Sequence, residues 1–319
     1  MRLFAILFLL ALAPFTADAQ IIPTLESPIE IRAIPAVPAP GQAVTLTAAN
    51  VNNKNSTTFI WTVDGRVVEQ GLGLDQITLR SGTIGSRTSV SVTVRNGSET
   101  VGTKTYTLVP GELDIVWEAN TYTPPFYIGR PVPTGDSLIT IATIPSAIVN
   151  GTRLNASSLS YQWYINNSQT PYQTGYGLSS ISITPPLFDS AFSVRVVAST
   201  PDGSFSLQGT EIIVPQTPET LLYQKHPLLG VLFNRALSTG FLLPDEEVTL
   251  RLFPLFLSGV GNAVYSWKVN NDSVDTSDAP RELTLRKTGS GVGFARVSAM
   301  FEVENSLYER AEQNVEITF

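Results

Sequence analysis

The side chains that could do chemistry in this chain are few and scattered. His226 is the only histidine, so a Ser-His-Asp relay would have to run through it. It stands directly before Pro227, and no nucleophile-elbow motif accompanies it. A structural or solvated histidine is the favoured assignment. There is no cysteine, which removes thiolate nucleophiles and thiolate metal ligands together. A zinc site would have to be built almost wholly from carboxylates. The glycines of "TGSGVG" (288–293) precede an alternating strand pattern. A phosphate cradle needs a helix N-terminus there, so the run is assigned to a loop. "NNDSVDTSD" (270–278) gathers Asp272, Asp275 and Asp278, hard oxygen ligands of the kind Ca²⁺ takes. Their spacing fits no EF-hand; a solvated hairpin turn is favoured, and Ca²⁺ stays as a weak candidate. No other metal and no cofactor is expected. No pair of acids stands apart from the turns that hold them, so a hydrolase using two carboxylates ranks third among the functions considered. The expectation is a non-enzymatic protein.

The elements that would position any site are strands. Three tryptophans recur in one setting: "FIWTVDG" (59–65), "YQWYINN" (161–167) and "YSWKVNN" (265–271). Each is preceded by an alternating strand, at 42–48, 137–143 and 247–253. Each is followed by a short strand (76–79, 180–184, 283–286), a longer one (88–96, 191–200, 293–303) and a closing one (104–110, 209–215, 313–319). Val, Ile, Thr and aromatics alternate with polar residues at period two, bounded by Gly, Pro, Asn and Asp. No later stretch shows a helical stripe with start and stop signals. Trp61, Trp163 and Trp267 each have an aliphatic residue two places on (Val63, Ile165, Val269), which puts both on one face. "DG" and "NN" then turn the chain back as a hairpin. The three indoles are expected as interior core residues.

This order of strands, with the "WTVDG" of Trp61 to Gly65, resembles the PKD-like and related Ig-like repeats of bacterial surface proteins. Val63 stands where those repeats carry an aromatic, one glycine is missing, and the later copies end in Asn-Asn. The resemblance implies an all-β chain of three tandem antiparallel Ig/PKD-like β-sandwiches with an extracellular adhesive or spacer role. It implies no catalytic residue. Proline-containing joints at "LVPGELDI" and "VPQTPETL" set the expected boundaries: domain 1 at 20–110, domain 2 at 111–216 and domain 3 at 217–319.

Composition fits that picture. Of 319 residues, 43% are hydrophobic and 15% charged, enough apolar surface to build cores rather than disorder. The net charge of −7 is spread without basic clusters, so nucleic acid is not an expected partner. "MRLFAILFLLALA" followed by Ala17, Asp18 and Ala19 reads as a secretory signal peptide at 1–19. No later segment has the roughly twenty consecutive apolar residues of a membrane span, and no C-terminal anchor or sortase signal is visible. Without disulfides each sandwich rests on its core alone, and the missing inter-sheet bridge points toward bacteria. Sequons at Asn55, Asn96, Asn150, Asn155, Asn166 and Asn271 follow from an Asn-, Ser- and Thr-rich composition. The closing "NVEITF" could end an outer-membrane barrel, but equivalent strands close the first two copies internally, so a sandwich strand is expected.

The second and third copies differ from the first by an inserted loop. "FYIGRPVPTG" (126–135) lies over "VLFNRALSTG" (231–240) without gaps, Arg130 upon Arg235. An ordered arm of similar shape is expected in both. Tyr122, Phe126, Tyr127, Arg130, Leu232, Phe233 and Arg235 are the candidate partner-binding residues. Three roles stay open: packing on their own or a neighbouring sandwich, recruiting a partner through an exposed apolar patch, or, for Tyr122, Phe126 or Tyr127, stacking on carbohydrate. The expected function is an adhesion, spacer or surface-assembly component, secreted or in the cell envelope. The alternative is a secreted carbohydrate-binding protein using loop aromatics. The partner is a protein or glycan at a cell surface, and the oligomeric state stays open.

Overall fold

The computed structural model describes residues 29–186, 191–238, 240–243, 245–304, 306 and 308–319. The signal peptide expected at 1–19 lies outside them, as does Thr239. Among the described residues the chain is all-β, with strands, turns and short 3-10 helices and no α-helix. Among the described residues no helix is long and apolar enough to cross a membrane.

Seven strands come first: β1 (Glu30–Ile34), β2 (Ala43–Ala49), β3 (Thr58–Val63), β4 (Arg66–Leu72), β5 (Gln76–Arg80), β6 (Thr88–Asn96) and β7 (Glu99–Leu108). They form a sheet of order β1-β2-β5 and another of order β4-β3-β6-β7. Next come β8 (Gly111–Ala119), β9 (Ile139–Val149), β10 (Thr152–Arg153), β11 (Ser160–Ile165), β12 (Ser168–Gln169), β13 (Gly175–Tyr176), β14 (Ser180–Ile183), β15 (Phe192–Ser199) and β16 (Ser206–Ile213). Their sheets are β10-β9-β14, with β8 also on β9, and β12-β11-β15-β16, with β13 also on β11. Last are β17 (Glu219–His226), β18 (Gly230–Val231), β19 (Phe241–Leu242), β20 (Glu247–Leu255), β21 (Ala263–Val269), β22 (Asp272–Val274), β23 (Glu282–Arg286), β24 (Phe294–Val303) and β25 (Arg310–Thr318). They pair as β18-β17-β20-β23 and β19-β25-β24-β21-β22.

The described chain divides into two compact units: one holds residues 29–32, Leu46–Ile77 and Ser89–Tyr106, and the other holds Ala33–Thr45, Thr78–Thr88 and the described residues from Thr107 on. In the smaller unit Leu46, Ala48, Phe59, Trp61, Val92 and Val94 are fully buried, every one at an alternate position of its strand. The larger unit holds two separate cores. One gathers Ile139, Ile141, Tyr161, Trp163, Val194 and Val196; the other gathers Leu250, Leu252, Trp267, Leu283, Val297 and Phe301. Burying such alternating faces between two sheets is what these strands can do in water.

Two features depart from plain alternating antiparallel strands. Phe241 and Leu242 pair with Ile317 and Thr318 in parallel, because the third arm begins on the β17 sheet, where β18 pairs with β17, and ends on the opposite one. And β20 loses its alternation at its end, where Leu252–Leu257 is buried throughout. A run apolar on both faces needs cover on both, and the second arm supplies it.

Candidate functional site

Trp61, Trp163 and Trp267 are 0%, 0% and 1% exposed. Each sits mid-strand facing inward, and each indole N–H finds a backbone carbonyl: Leu74 at 2.8 Å, Leu178 at 2.9 Å and Pro280 at 2.9 Å. The hairpin turns that follow repeat as closely. Asp64 and Gly65, Asn166 and Asn167, and Asn270 and Asn271 all take positive φ, the geometry of a two-residue hairpin loop and the reason Asn, Asp and Gly occupy it. In each, the first turn side chain accepts from an N–H within the first three residues of the next long strand: Asp64 from Ser89 at 2.9 Å, Asn166 from Ser193 at 3.0 Å, Asn270 from Arg296 at 2.9 Å.

The second arm leaves β8 and lies against the last sheet pair. Tyr122 N–H donates to Leu257 O at 2.8 Å and Phe256 N–H donates to Tyr122 O at 2.7 Å. Phe256 adopts φ of 60°, uncommon for a bulky residue. Phe126 enters an aromatic cluster, with ring centroids 5.3 Å from Tyr223, 4.4 Å from Phe233 and 5.1 Å from Phe253. Tyr127 meets Phe256 edge-on at 5.4 Å. Further along, Thr134 Oγ1 donates to Glu309 Oε1 at 3.3 Å, and the Ser306 hydroxyl donates to Asp136. Glu309 is 1% exposed and also accepts from Ser258 N–H at 2.8 Å and Gly259 N–H at 3.2 Å. Three converging donors let a carboxylate sit that deep.

The arms are both ordered but differ in shape. Pro124, Pro125, Pro131 and Pro133 withhold the donors a ladder needs, so the second arm has no strand among its described residues. The third arm has two, β18 and β19. Leu232 N–H donates to Gln224 O at 2.9 Å and Leu237 N–H to Leu222 O at 2.8 Å, and Leu237 is buried. Phe233 faces Phe126; Arg235 is exposed. Arg130 instead lies 4.0 Å from the centroid of Trp117 on β8, a cation–π contact that no repeat comparison predicts, since Trp117 has no tryptophan counterpart in the other copies. His226 closes the tip of β17: Nδ1 accepts from Leu228 N–H at 3.1 Å and Leu229 N–H at 3.2 Å.

No protein-family model matches the sequence. No characterised protein matches it. Among solved structures, the chain is similar to the three N-terminal domains of the Highly Immunogenic Outer Capsid protein of bacteriophage RB49, at 13% identity over 91% of this chain and 97% of that one, TM-score 0.25. It is similar to the central fibronectin-III array of RIM-binding protein, at 14% identity over 89% of this chain and 97% of that one, TM-score 0.30. It is also similar to fibronectin(III)-like modules of Clostridium thermocellum CbhA, at 11% identity over 64% of this chain and 93% of that one, TM-score 0.21. The likeness is confined to β-sandwich construction.

Asp272, Asp275 and Asp278 do not converge: among the described residues, no group of three or more His, Cys, Asp or Glu is placed to hold a metal ion. Asp275 accepts from Ser277 N–H at 2.9 Å, and that bond holds its carboxyl below the usual carboxylate range. It is a turn residue.

A cavity of about 690 Å³ opens beside these acids, between β21 and the 275–281 loop. Its lining mixes apolar groups (Ala263, Val274, Trp267) with Tyr265, Arg251 and Arg281. Arg251 Nε is buried with no hydrogen-bond partner, and the buried Tyr265 hydroxyl meets only the Arg281 side chain, short of full hydrogen-bond geometry. Arg281 lies 4.8 Å from the Tyr265 ring centroid. Burial pushes the Tyr265 phenol up, and the Arg281 charge pulls it partly back. Sequence patterning marks none of this, because the cavity comes from strand length and not from residue type.

Proposed function

We propose that this chain is a non-enzymatic, exported modular protein of three tandem Ig-like, PKD-related sandwiches, at 20–110, 111–216 and 217–319, acting as a spacer or surface-assembly component. The observation that carries this reading is the second arm. Phe126, Tyr122 and Thr134–Glu309 tie one sheet pair to the next, so Phe126 and Tyr122 serve construction. Hydrophobic and aromatic contact of this kind makes inter-domain motion the exception. What such a protein offers is a held set of surfaces and strand edges. The proposed location is outside the cytoplasm, following the signal peptide read at 1–19.

Carbohydrate binding is the second reading, and a different set of aromatics favours it. Tyr172 and Tyr176 are 98% and 63% exposed, on the segment between β12 and β14. Exposed tyrosine rings are free to stack on sugars. A glycan array and a pull-down from surface extract separate the two. Sugar binding abolished by Tyr172→Ala supports the second reading. A protein partner retained in excess free sugar supports the first, and its absence together with array binding overturns it.

A further inference from the structure

The three tryptophan strands differ along one edge. In the first sheet pair β4 pairs with the whole of β3, from Thr58 to Val63, and Gly73 N–H continues to Thr57 O at 2.9 Å. In the second, β12 takes Tyr164 and Ile165 and β13 takes Ser160 and Tyr161. Between them Thr170 N–H donates to Trp163 O at 2.9 Å, and Gly177 N–H donates to Leu159 O at 2.8 Å. In the third, β22 reaches only Trp267, Lys268 and Val269.

Beyond Val274 the chain bows away from β21. An antiparallel ladder points alternate residues to alternate neighbours. Asn270 N–H goes to Arg296 O on the β24 side, so Val269, Trp267, Tyr265 and Ala263 turn their backbone groups to the β22 side. Ala263 and Tyr265 therefore present N–H and C=O along an edge where, among the described residues, nothing pairs with them. The bowed loop is held at its far end by the Trp267 indole bond to Pro280, and the cavity fills the gap.

The side chains at this gap are also unsatisfied. Tyr161, the residue matching Tyr265, gives its hydroxyl to Ala156 O at 2.9 Å; that of Tyr265 has no backbone acceptor and meets only the Arg281 side chain, at less than full hydrogen-bond geometry. Arg251 binds Glu282 through Nη1 at 2.9 Å and leaves Nε free. Lys225 already shares Glu282, at 2.7 Å, and Arg281 stands over Tyr265. Two cations thus hold Glu282, while Arg281 has no ion pair among the described residues; its guanidinium and Arg251 Nε are the groups an incoming acid would meet. The volume lies within the roughly 300–1,000 Å³ of ligand sites.

We propose that this open edge is the docking site for an extended peptide segment of a partner polypeptide, added as a strand along Ala263 and Tyr265 with a carboxylate side chain reaching Arg281 and Arg251 Nε. The proposal rests on the assembly reading above for the source of that segment. Backbone pairing supplies affinity and the cavity selects the side chain. It places a strand where β4 lies in the first sheet pair and β13 in the second.

The test uses the full chain and a panel of blocked hexapeptides that alternate apolar and polar residues, each with Glu or Gln centrally, and separately the β4 sequence VVEQGL. The expected result is slowed hydrogen exchange at the Ala263 and Tyr265 amides, a shift of Trp267 fluorescence, and binding weaker by about tenfold for Gln peptides and for Arg281→Ala. Backbone N-methylated peptides should not bind. Ala263→Pro removes one edge donor at the first residue of its strand, where proline is tolerated, and should abolish binding with the melting temperature kept. No slowed exchange with any peptide, or equal binding by N-methylated ones, overturns the site. A chain carrying Ala263→Pro that still captures a surface partner as the unmodified chain does overturns the site and leaves the assembly reading standing. An unmodified chain that captures nothing, yet shows peptide protection, does the reverse.

Discussion

The indole N–H of Trp163 donates to the carbonyl of Leu178 at 2.9 Å, two residues before β14 begins at Ser180. The same offset recurs: Leu74 stands two before β5, and Pro280 two before β23. Each tryptophan strand and the strand whose entrance it pins belong to different sheets. The indole is therefore core volume and inter-sheet fastener together.

Trp163→Phe separates these two roles. Phenylalanine keeps most of the ring but orphans the Leu178 carbonyl, with an expected loss of about 1–3 kcal/mol. Trp163→Ala loses the ring as well, about 3–5 kcal/mol. Urea unfolding measures both. A Trp163→Phe midpoint equal to the unmodified chain's would show the bond to be idle.

Glu309 should matter more than a strand-end acid ordinarily does. Glu309→Gln turns an amide N–H₂ toward the Ser258 and Gly259 donors or weakens both bonds, and should cost about 1.5–3 kcal/mol. Thr134→Val removes one of the three donors and should cost about 1 kcal/mol. Calorimetry of the full chain reads the effect. An unchanged thermogram for Glu309→Gln would mean the arm is held by Phe126 and its aromatic neighbours alone.

The strand plan was legible because period-two burial leaves its mark at every residue: 88–96 was readable as a strand from TSVSVTVRN alone, and β6 spans the same residues. Turn chemistry was legible for a similar reason, since few residues tolerate positive φ. The indole acceptors were not. They are carbonyls of Leu74, Leu178 and Pro280, and a backbone oxygen carries no side-chain signature. The destination of Phe126 was open as well, because an apolar loop residue does not state which neighbour covers it. Glu309 reads as one more acid in a polar strand, and only the burial around it gives it weight. The cavity is subtler still, arising from β22 having three residues where β4 has seven.

Gly209 marks a close approach. A Cβ there would stand 2.6 Å from the Leu113 carbonyl oxygen and 3.2 Å from an Ile115 side-chain carbon. The obstacle is backbone and cannot step aside as a flexible side chain would. Gly209→Ala should destabilise by about 1–3 kcal/mol, an overpacking cost. Gly261→Ala, with nothing within 4 Å, is the control and should stay near neutral. Equal midpoints for the two variants would show that β16 and β8 can separate without penalty.

Alkaline pH should loosen the fold through its tyrosines. Burial pushes the phenols of Tyr106, Tyr161, Tyr223 and Tyr265 above their ordinary value. The folded chain therefore holds these protons more tightly than the unfolded chain does. Their contribution is complete below the ordinary phenol value of about 10 and falls as pH rises from there through the folded values. Absorbance at the phenolate band should rise later in the folded chain than in denatured chain over the same pH range, and urea midpoints should drop across it. Tyr223→Phe removes one of these protons and, relative to the unmodified chain, should flatten the decline. Superimposable titration curves for folded and denatured protein would refute the linkage, and an unflattened decline in Tyr223→Phe would assign it to other groups.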